Sequence, residues 1–218
     1  MRHLALIMIC LVAGRAASAQ GLMYDESTGG KNSRLNLRIL WSAARDRCDL
    51  RIEHPGNDLW EFVLDGKGVT KSCRVQRAGG EGISLVRIAD TIEMEVLSEE
   101  KKEKKSLAID GAPWYESMEV GLGCFAMSGV QREDFWVVDV DRRKATKMSA
   151  KRAGTETIDC SGSRVSAVRV LVTAAGVPAL FYSVTYWFRQ NDGLYLRFEG
   201  VRGGPGTPKT IVIYKGEE

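Results

Sequence analysis

From residue 59 onward apolar and polar positions alternate with the two-residue period of half-buried strands. Leu59-Trp-Glu-Phe-Val-Leu64 sets Trp60, Phe62 and Leu64 on one face. Asp65-Gly66 follows, a tight-turn signal between strand-like runs, and Val69 to Gln76 is the return strand. After the turn Ala78-Gly-Gly-Glu-Gly82, Ile83 and Leu85 alternate with Ser84 and Val86. Ile92, Met94 and Val96 then alternate with Thr91, Glu93 and Glu95. The charge run Glu99-Glu-Lys-Lys-Glu-Lys-Lys105 reads as a hairpin tip or a solvated edge, with alternation resuming at Leu107 and Ile109. Further on, Phe135 to Val140, Lys147 to Arg152, Thr155 to Cys160 and Arg164 to Thr173 read as successive strands. Leu180 to Arg189 is an aromatic strand with Tyr182, Val184, Tyr186 and Phe188 on one face. Asn191-Asp-Gly193 turns it into a return strand whose Leu194, Leu196 and Phe198 face one way, and Tyr195, Arg197 and Glu199 the other. Thr210 to Tyr214 is the last strand.

Two regions depart from this rhythm. Trp114, Met118, Leu122 and Phe125 stand at helical spacing, and Pro113 suits a helix start, so residues 112–129 predict one short helix, made irregular by Gly121, Gly123 and Gly129. Residues 20–34 are polar and rich in Gly, Ser and Asn, which predicts a mobile leader. In residues 35–45 a helical face (Leu37, Leu40, Trp41, Ala44) competes with strand alternation (Leu35, Leu37, Ile39, Trp41), and a short helix is preferred. Ten or more strands without an alternating strand–helix pattern argue against a parallel doubly wound sheet. The expected fold is mainly β: a large curved antiparallel sheet, a half-barrel, with one short helical segment packed on its concave face. The expected domains are a signal peptide at 1–19, a flexible leader with a short helix at 20–47, and a single half-barrel at 48–218.

The signal comes from the first residues. Met1-Arg-His is basic, Leu4 to Val12 is apolar, and Ala17-Ser18-Ala19 offers small residues where a signal peptidase cuts. The apolar run is far shorter than the ~20 residues a membrane span needs, so no transmembrane segment is expected after cleavage. Export to the periplasm, or full secretion, follows. Removing Arg2 and Arg15 from the 31 basic residues leaves them nearly balanced against the 28 acidic ones. That balance gives no case for a nucleic-acid partner. The cysteines outside the leader, Cys48, Cys73, Cys124 and Cys160, are even in number, which in an oxidising compartment predicts two disulfides. Three pairings are open; Cys48–Cys73 and Cys124–Cys160 are favoured because neighbours in sequence tend to be neighbours in a sheet. With no Cys-x-x-Cys and only His54 beyond the leader, neither a metal nor a cofactor is expected.

Leu64-Asp-Gly-Lys-Gly68 after Trp60-Glu-Phe62, then Tyr186-Trp-Phe-Arg189, Asp192-Gly-Leu194, Arg197-Phe-Glu199 and Thr207-Pro-Lys-Thr210, resemble the opening and closing hairpins of exported bacterial proteins with a lipoprotein-carrier-like (LolA-like) half-barrel. Ala112-Pro-Trp-Tyr115 is similar to their helix-bearing middle. The resemblance spans roughly residues 50–215. It implies a periplasmic curved sheet around an apolar groove, and it carries no catalytic residue. Four cysteines outside the leader are a departure from its pattern.

The candidate ligand-binding residues are Trp60, Phe62, Trp136, Tyr182, Tyr186 and Phe188, as the lining of such a groove; the competing reading is an ordinary core packed on the helix. The expected partner is a lipid, an acyl chain or a lipidated protein. The alternatives are an envelope interaction module without a ligand and a carboxylate-based enzyme. For the last, Glu93 with Glu95, and Asp139 with Asp141, share strand faces, as a solvated face would also arrange them. Gly203-Gly-Pro-Gly206 lacks the ending of a phosphate loop and reads as a turn. No Gly-x-Ser-x-Gly is present, and a histidine-dependent nucleophile would have to run through His54, which sits beside Pro55-Gly56 as a loop residue.

Overall fold

A computed structural model describes residues 18–54, 56–98, 101–176, 183–201 and 206–218. Residues 1–17, on which most of the expected signal peptide falls, Tyr182 and most of the loop at 203–206 lie outside them. The strands are β1 (Ser18–Thr28), β2 (Lys31–Trp41), β3 (Arg47–Glu53), β4 (Leu59–Asp65), β5 (Thr70–Gln76), β6 (Gly82–Ile88), β7 (Thr91–Leu97) and β8 (Lys102–Ala108). The helix α1 (Met118–Met127) follows, then β9 (Arg132–Asp139), β10 (Lys144–Cys160), β11 (Ser163–Ala174), β12 (Ser183–Arg189), β13 (Tyr195–Val201) and β14 (Lys209–Glu217). All fourteen form one antiparallel sheet in the order β8 to β1, then β14 to β9. The expected curved half-barrel with one helix is therefore what the chain builds. It consists of two meanders joined where β1 pairs with β14.

The leader is the main correction. Residues 20–34 and 35–45 are not a mobile leader and a helix but most of β1 and all of β2, at the centre of the sheet. Between β2 and β14, β1 needs few apolar residues of its own. Leu22 and Tyr24 point into the core, and the outward residues are free to be polar. Along β2, Leu35, Leu37 and Ile39 are buried in strand alternation, because pairing with β1 and β3 fixes the period at two. The two strands expected at 147–152 and 155–160 are one long strand, β10, with a register shift between Arg152 and Thr155 beside Gly154, whose φ is +108°.

The disulfide pairings are the second correction: all four described cysteines are free. Cys48 on β3 faces Leu64 of β4, and Cys73 on β5 faces Phe62 of β4. With β4 between them, two strand spacings of ~4.8 Å separate their backbones, beyond the ~7 Å a disulfide spans. Cys124 packs by the β4–β5 turn, whereas Cys160 ends β10 with its Sγ 3.5 Å from the Tyr214 carbonyl oxygen.

The helix begins later than its spacing suggests. Pro113 to Glu116 run along the outer edge of β9: the Trp136 N–H donates to the Pro113 carbonyl (2.8 Å) and the Tyr115 N–H to the Trp136 carbonyl (2.9 Å). The same segment reaches the other meander, where the Thr70 N–H donates to the Trp114 carbonyl (2.8 Å) and the Glu116 N–H to Thr70 Oγ1 (3.1 Å). Trp114 is fully buried at this seam. Of the charge run, Lys102 to Lys105 lie on β8, a lysine-rich strand at the end of the sheet, and Glu99 and Glu100 lie outside the described residues. Such charge discourages pairing with another chain.

Helix α1 is gripped by two hairpin turns, one from each meander. A Cβ on Gly68, in the β4–β5 turn, would lie 3.0 Å from the Gly121 Cα. A Cβ on Gly123 would lie 2.5 Å from the carbonyl oxygen of Gly193, in the β12–β13 turn. Gly68 and Gly193 also have positive φ, +77° and +73°. The glycines read as irregularity are thus contact points. Alanine in place of glycine stabilises an ordinary helix interior by ~1 kcal/mol. Gly123→Ala should instead destabilise this protein by about 1–3 kcal/mol, because the methyl meets backbone that cannot move aside; urea unfolding of variant and wild type checks the sign.

Candidate functional site

A cavity of about 570 Å³ lies between α1 and the concave face of the sheet. Its floor is Leu22 and Tyr24 of β1 with Leu37 and Ile39 of β2. Val120, Gly123, Cys124 and Met127 of α1 form one wall. Leu194 and Tyr195, after the β12–β13 turn, form another. Gly66 lines it from the β4–β5 turn. The same glycine contacts that seat α1 therefore set the size of this space. Volume and lining fall in the range of sites for small apolar ligands.

Polar groups gather at the rim. The Arg45 guanidinium lies 5.6 Å above the Trp41 ring, within cation–π range. Gln20 Nε2 donates to Glu217 Oε1 (2.8 Å). Asp192 is held by Arg189, whose Nε and Nη2 donate at 2.9 and 2.6 Å, and its Oδ1 also accepts the Leu194 N–H (3.1 Å). Glu119, in the first turn of α1, completes the rim and accepts from Ser117 Oγ (3.2 Å). On the floor, the Tyr24 hydroxyl donates to the Tyr195 carbonyl (3.0 Å), and the two rings stack 5.0 Å apart. Burial, helped by the nearby Glu119, pushes the Tyr24 phenol well above its ordinary pKa, so it remains a neutral donor. An apolar interior with a mixed-charge rim can take a chain inward and leave a polar head at the mouth.

The aromatic residues chosen from the sequence do not line this cavity. Phe62, Tyr186 and Phe188 are buried in the core, and Trp60 stacks on Phe62 at 6.1 Å. Trp136 belongs to the seam, where its Nε1 donates to Asp110 Oδ1 (2.7 Å). Tyr182 lies outside the described residues. The structure does bring Tyr186 and Phe188 together behind the wall, each 6.0 Å from the Tyr195 ring. Tyr195 is the residue that alternation misplaced. A register shift at Trp187/Phe188 pairs Phe188 with Tyr195, so Tyr195 and Leu196 are both buried. The signal that could have found it is the turn: Gly193 N–H to the Arg189 carbonyl and Arg189 N–H to the Leu194 carbonyl make a wider loop than a two-residue hairpin.

The paired carboxylates are occupied on the surface. Glu93 accepts from Ser106, Glu95 pairs with Lys102, Asp139 with Arg142 and Asp141 with Arg77. His54 stacks edge-on to Trp60 at 5.9 Å. Among the described residues no group of three or more His, Cys, Asp or Glu is placed to hold a metal, and no helix is long and apolar enough to cross a membrane.

Solved structures with a similar course of chain were found. A β-barrel-like protein of a domain of unknown function, DUF1849, from Brucella abortus superimposes with a TM-score of 0.52 at 13% identity, over 94% of this chain and 99% of that one. The hypothetical lipoprotein YmcC from Escherichia coli gives 0.42 at 12% identity, over 89% and 86%. A LolA superfamily protein from Nitrosomonas europaea gives 0.30 at 9%, over 94% and 86%. The resemblance carried by the two hairpins is borne out as a fold, at the level of a β-barrel-like sheet. No family model and no curated protein matches the chain.

One half-buried acid at the seam is set apart by its surroundings. Glu116 Oε2 accepts from the Trp114 indole N–H (2.7 Å) and the Val138 N–H (2.8 Å). Burial outweighs those donors, with Asp139 and Glu119 adding repulsion, and raises its pKa to about 7. The folded state thus holds this proton up to a higher pH than the unfolded chain does. Stability from Glu116 is full below the unfolded value of ~4.3 and is lost as pH rises through about 7. Glu116→Gln should remove the effect: between pH 5 and pH 8 the variant gains on wild type by at most ~3 kcal/mol in urea unfolding. Parallel stability–pH curves for the two proteins would contradict it.

Proposed function

We propose that the protein is an exported cell-envelope protein, periplasmic in preference to fully secreted, that binds a lipid, an acyl chain or a lipidated partner in the cavity beneath α1. The observation that carries the reading is the cavity itself, about 570 Å³ with an apolar floor and a rim bearing Arg45, Glu119 and Asp192. An elongated apolar chain with one polar end matches that division. The basic–apolar–small order of the first nineteen residues supports export. Tyr186 and Phe188 have a part as the rigid backing of Tyr195 rather than as lining.

The experiment uses protein purified from the periplasm of an expressing bacterium. Native mass spectrometry should find co-purified lipid, and a fluorescent fatty acid should bind the delipidated protein. Met127→Trp fills the mouth at a half-exposed position and should weaken that binding at least tenfold. Val130→Trp, equally exposed but outside the cavity, should leave it unchanged. Protein that carries no lipid and binds no acyl probe would overturn the reading, as would equal binding by the two variants.

A further inference from the structure

We propose that the outer face of β2 to β6 docks on an anionic phospholipid bilayer, with phosphate headgroups held by Arg38, Arg51 and Arg74. On this face, opposite the cavity, lies a hollow of about 650 Å³. Strand alternation builds it: Leu37 and Ile39 of β2 floor the cavity, while their neighbours Arg38 and Leu40 are exposed on the other side. Two adjacent rows of residues cross the strands here. In one, Arg38 pairs with Arg51, Arg51 with Glu61, Glu61 with Arg74, and Arg74 with Ser84. In the other, Leu40 pairs with Asp49, Asp49 with Val63, Val63 with Ser72, and Ser72 with Val86. Val63, Ser72 and Ser84 are short, so the arginines and Leu40 stand above them.

The acids around the hollow are mostly taken. Arg47 holds Asp49 (2.8 Å), Arg51 holds Glu53 (3.0 Å), and Glu95, opposite Ser84, pairs with Lys102. That leaves Glu61 against Arg38 and Arg74, which among the described residues have no ion-pair or hydrogen-bond partner. Arg38 also lies directly opposite Arg51, and like charges so placed on neighbouring strands repel. A phosphodiester between the two guanidinium groups accepts from both and removes that repulsion. Arg38 and Arg74 stand three strand spacings apart, roughly 14 Å, so the row is wider than one phosphate and suits an array of them. The second row distinguishes a bilayer from a soluble anion. Leu40 and Val86 are 40% and 44% exposed, and Ile88, two residues further along β6, is 58% exposed. Aliphatic side chains beside arginines match an interface that is charged at its surface and apolar beneath. A soluble phosphate would satisfy the arginines and leave the aliphatics in water.

The test is co-sedimentation of the purified protein with vesicles of phosphatidylcholine, made with and without phosphatidylglycerol, at low salt. The expected result is binding to the vesicles that contain phosphatidylglycerol and not to the others, with release as salt is raised. Arg38→Gln combined with Arg74→Gln should weaken that binding about tenfold. Leu40→Ser combined with Val86→Ser should weaken it as well. Each of these side chains is exposed, so the variants should fold. Lys144→Gln combined with Arg164→Gln removes the same charge from exposed positions on the other meander and should leave binding near that of wild type. Equal binding to both kinds of vesicle, binding to neither, or equal loss in the two charge variants would overturn the proposal. So would full binding by the Leu40→Ser, Val86→Ser variant. Labelled poly-glutamate bound where vesicles are not would assign the face to an acidic polypeptide and overturn it too. Acyl-probe binding in the cavity is a separate readout, so failure here leaves the cavity reading intact.

Discussion

The structure turns on backbone-to-backbone contact between one short helix and two hairpin turns. Met118–Met127 carries glycine where it meets the sheet, and the turns carry glycine where they meet the helix. Contacts this close tolerate no methyl group, so the helix has a single seat. Because one turn comes from each meander, that seat exists only when both halves of the sheet are in place. The volume beneath the helix is therefore a property of the whole fold, although a few side chains line it.

The seam complements this grip. Pro113 to Glu116 hydrogen-bonds to the edge of β9 and to the start of β5, and so bridges the two meanders on the side opposite the β1–β14 junction. Trp114 fills the interior there while its indole N–H finds Glu116. A second contact layer lies outside: Asp110 takes hydrogen bonds from Lys147, the Trp136 indole and the Ala112 N–H, which hold its carboxyl far below the ordinary range. Arg143 pairs with Glu103 across the same gap. The ends of the sheet are thus held near one another without a continuous ladder. That explains how an open sheet can enclose a cavity.

Much of this fold was legible in the sequence where local pattern and tertiary context agree. Trp60, Phe62 and Leu64 alternate in a strand whose partners supply no competing period, and Asp65-Gly66 and Asp192-Gly193 turn where turn chemistry says they should. The Asp65 carboxylate accepts the N–H groups of Lys67 and Val69, as an aspartate opening a turn does. Legibility failed where partners decide the outcome. Ser18–Thr28 is polar enough to read as a leader and is a strand only because β2 and β14 take both its edges. Trp114 shares helical spacing with Met118, yet the edge of β9 claims its backbone first. Tyr195 belongs to the cavity wall because a register shift, invisible in alternation, rotates it inward. The candidate site was the least legible part: its lining combines alternating residues of β1 and β2 with residues of α1 and of two turns, which no single period links.

The junction of β1 with β14 has a consequence for how the molecule comes into being. Thr28 and Thr210, whose side chains hydrogen-bond at 2.8 Å, are 182 residues apart in sequence. Each meander can zip up from local pairings, but the join between them must wait for β14. Until β14 arrives, β1 offers a bare edge in the middle of what will become the sheet. Synthesis from β1 through to β14 therefore leaves that edge without its native partner, and the two halves of the interior meet in one late, long-range step.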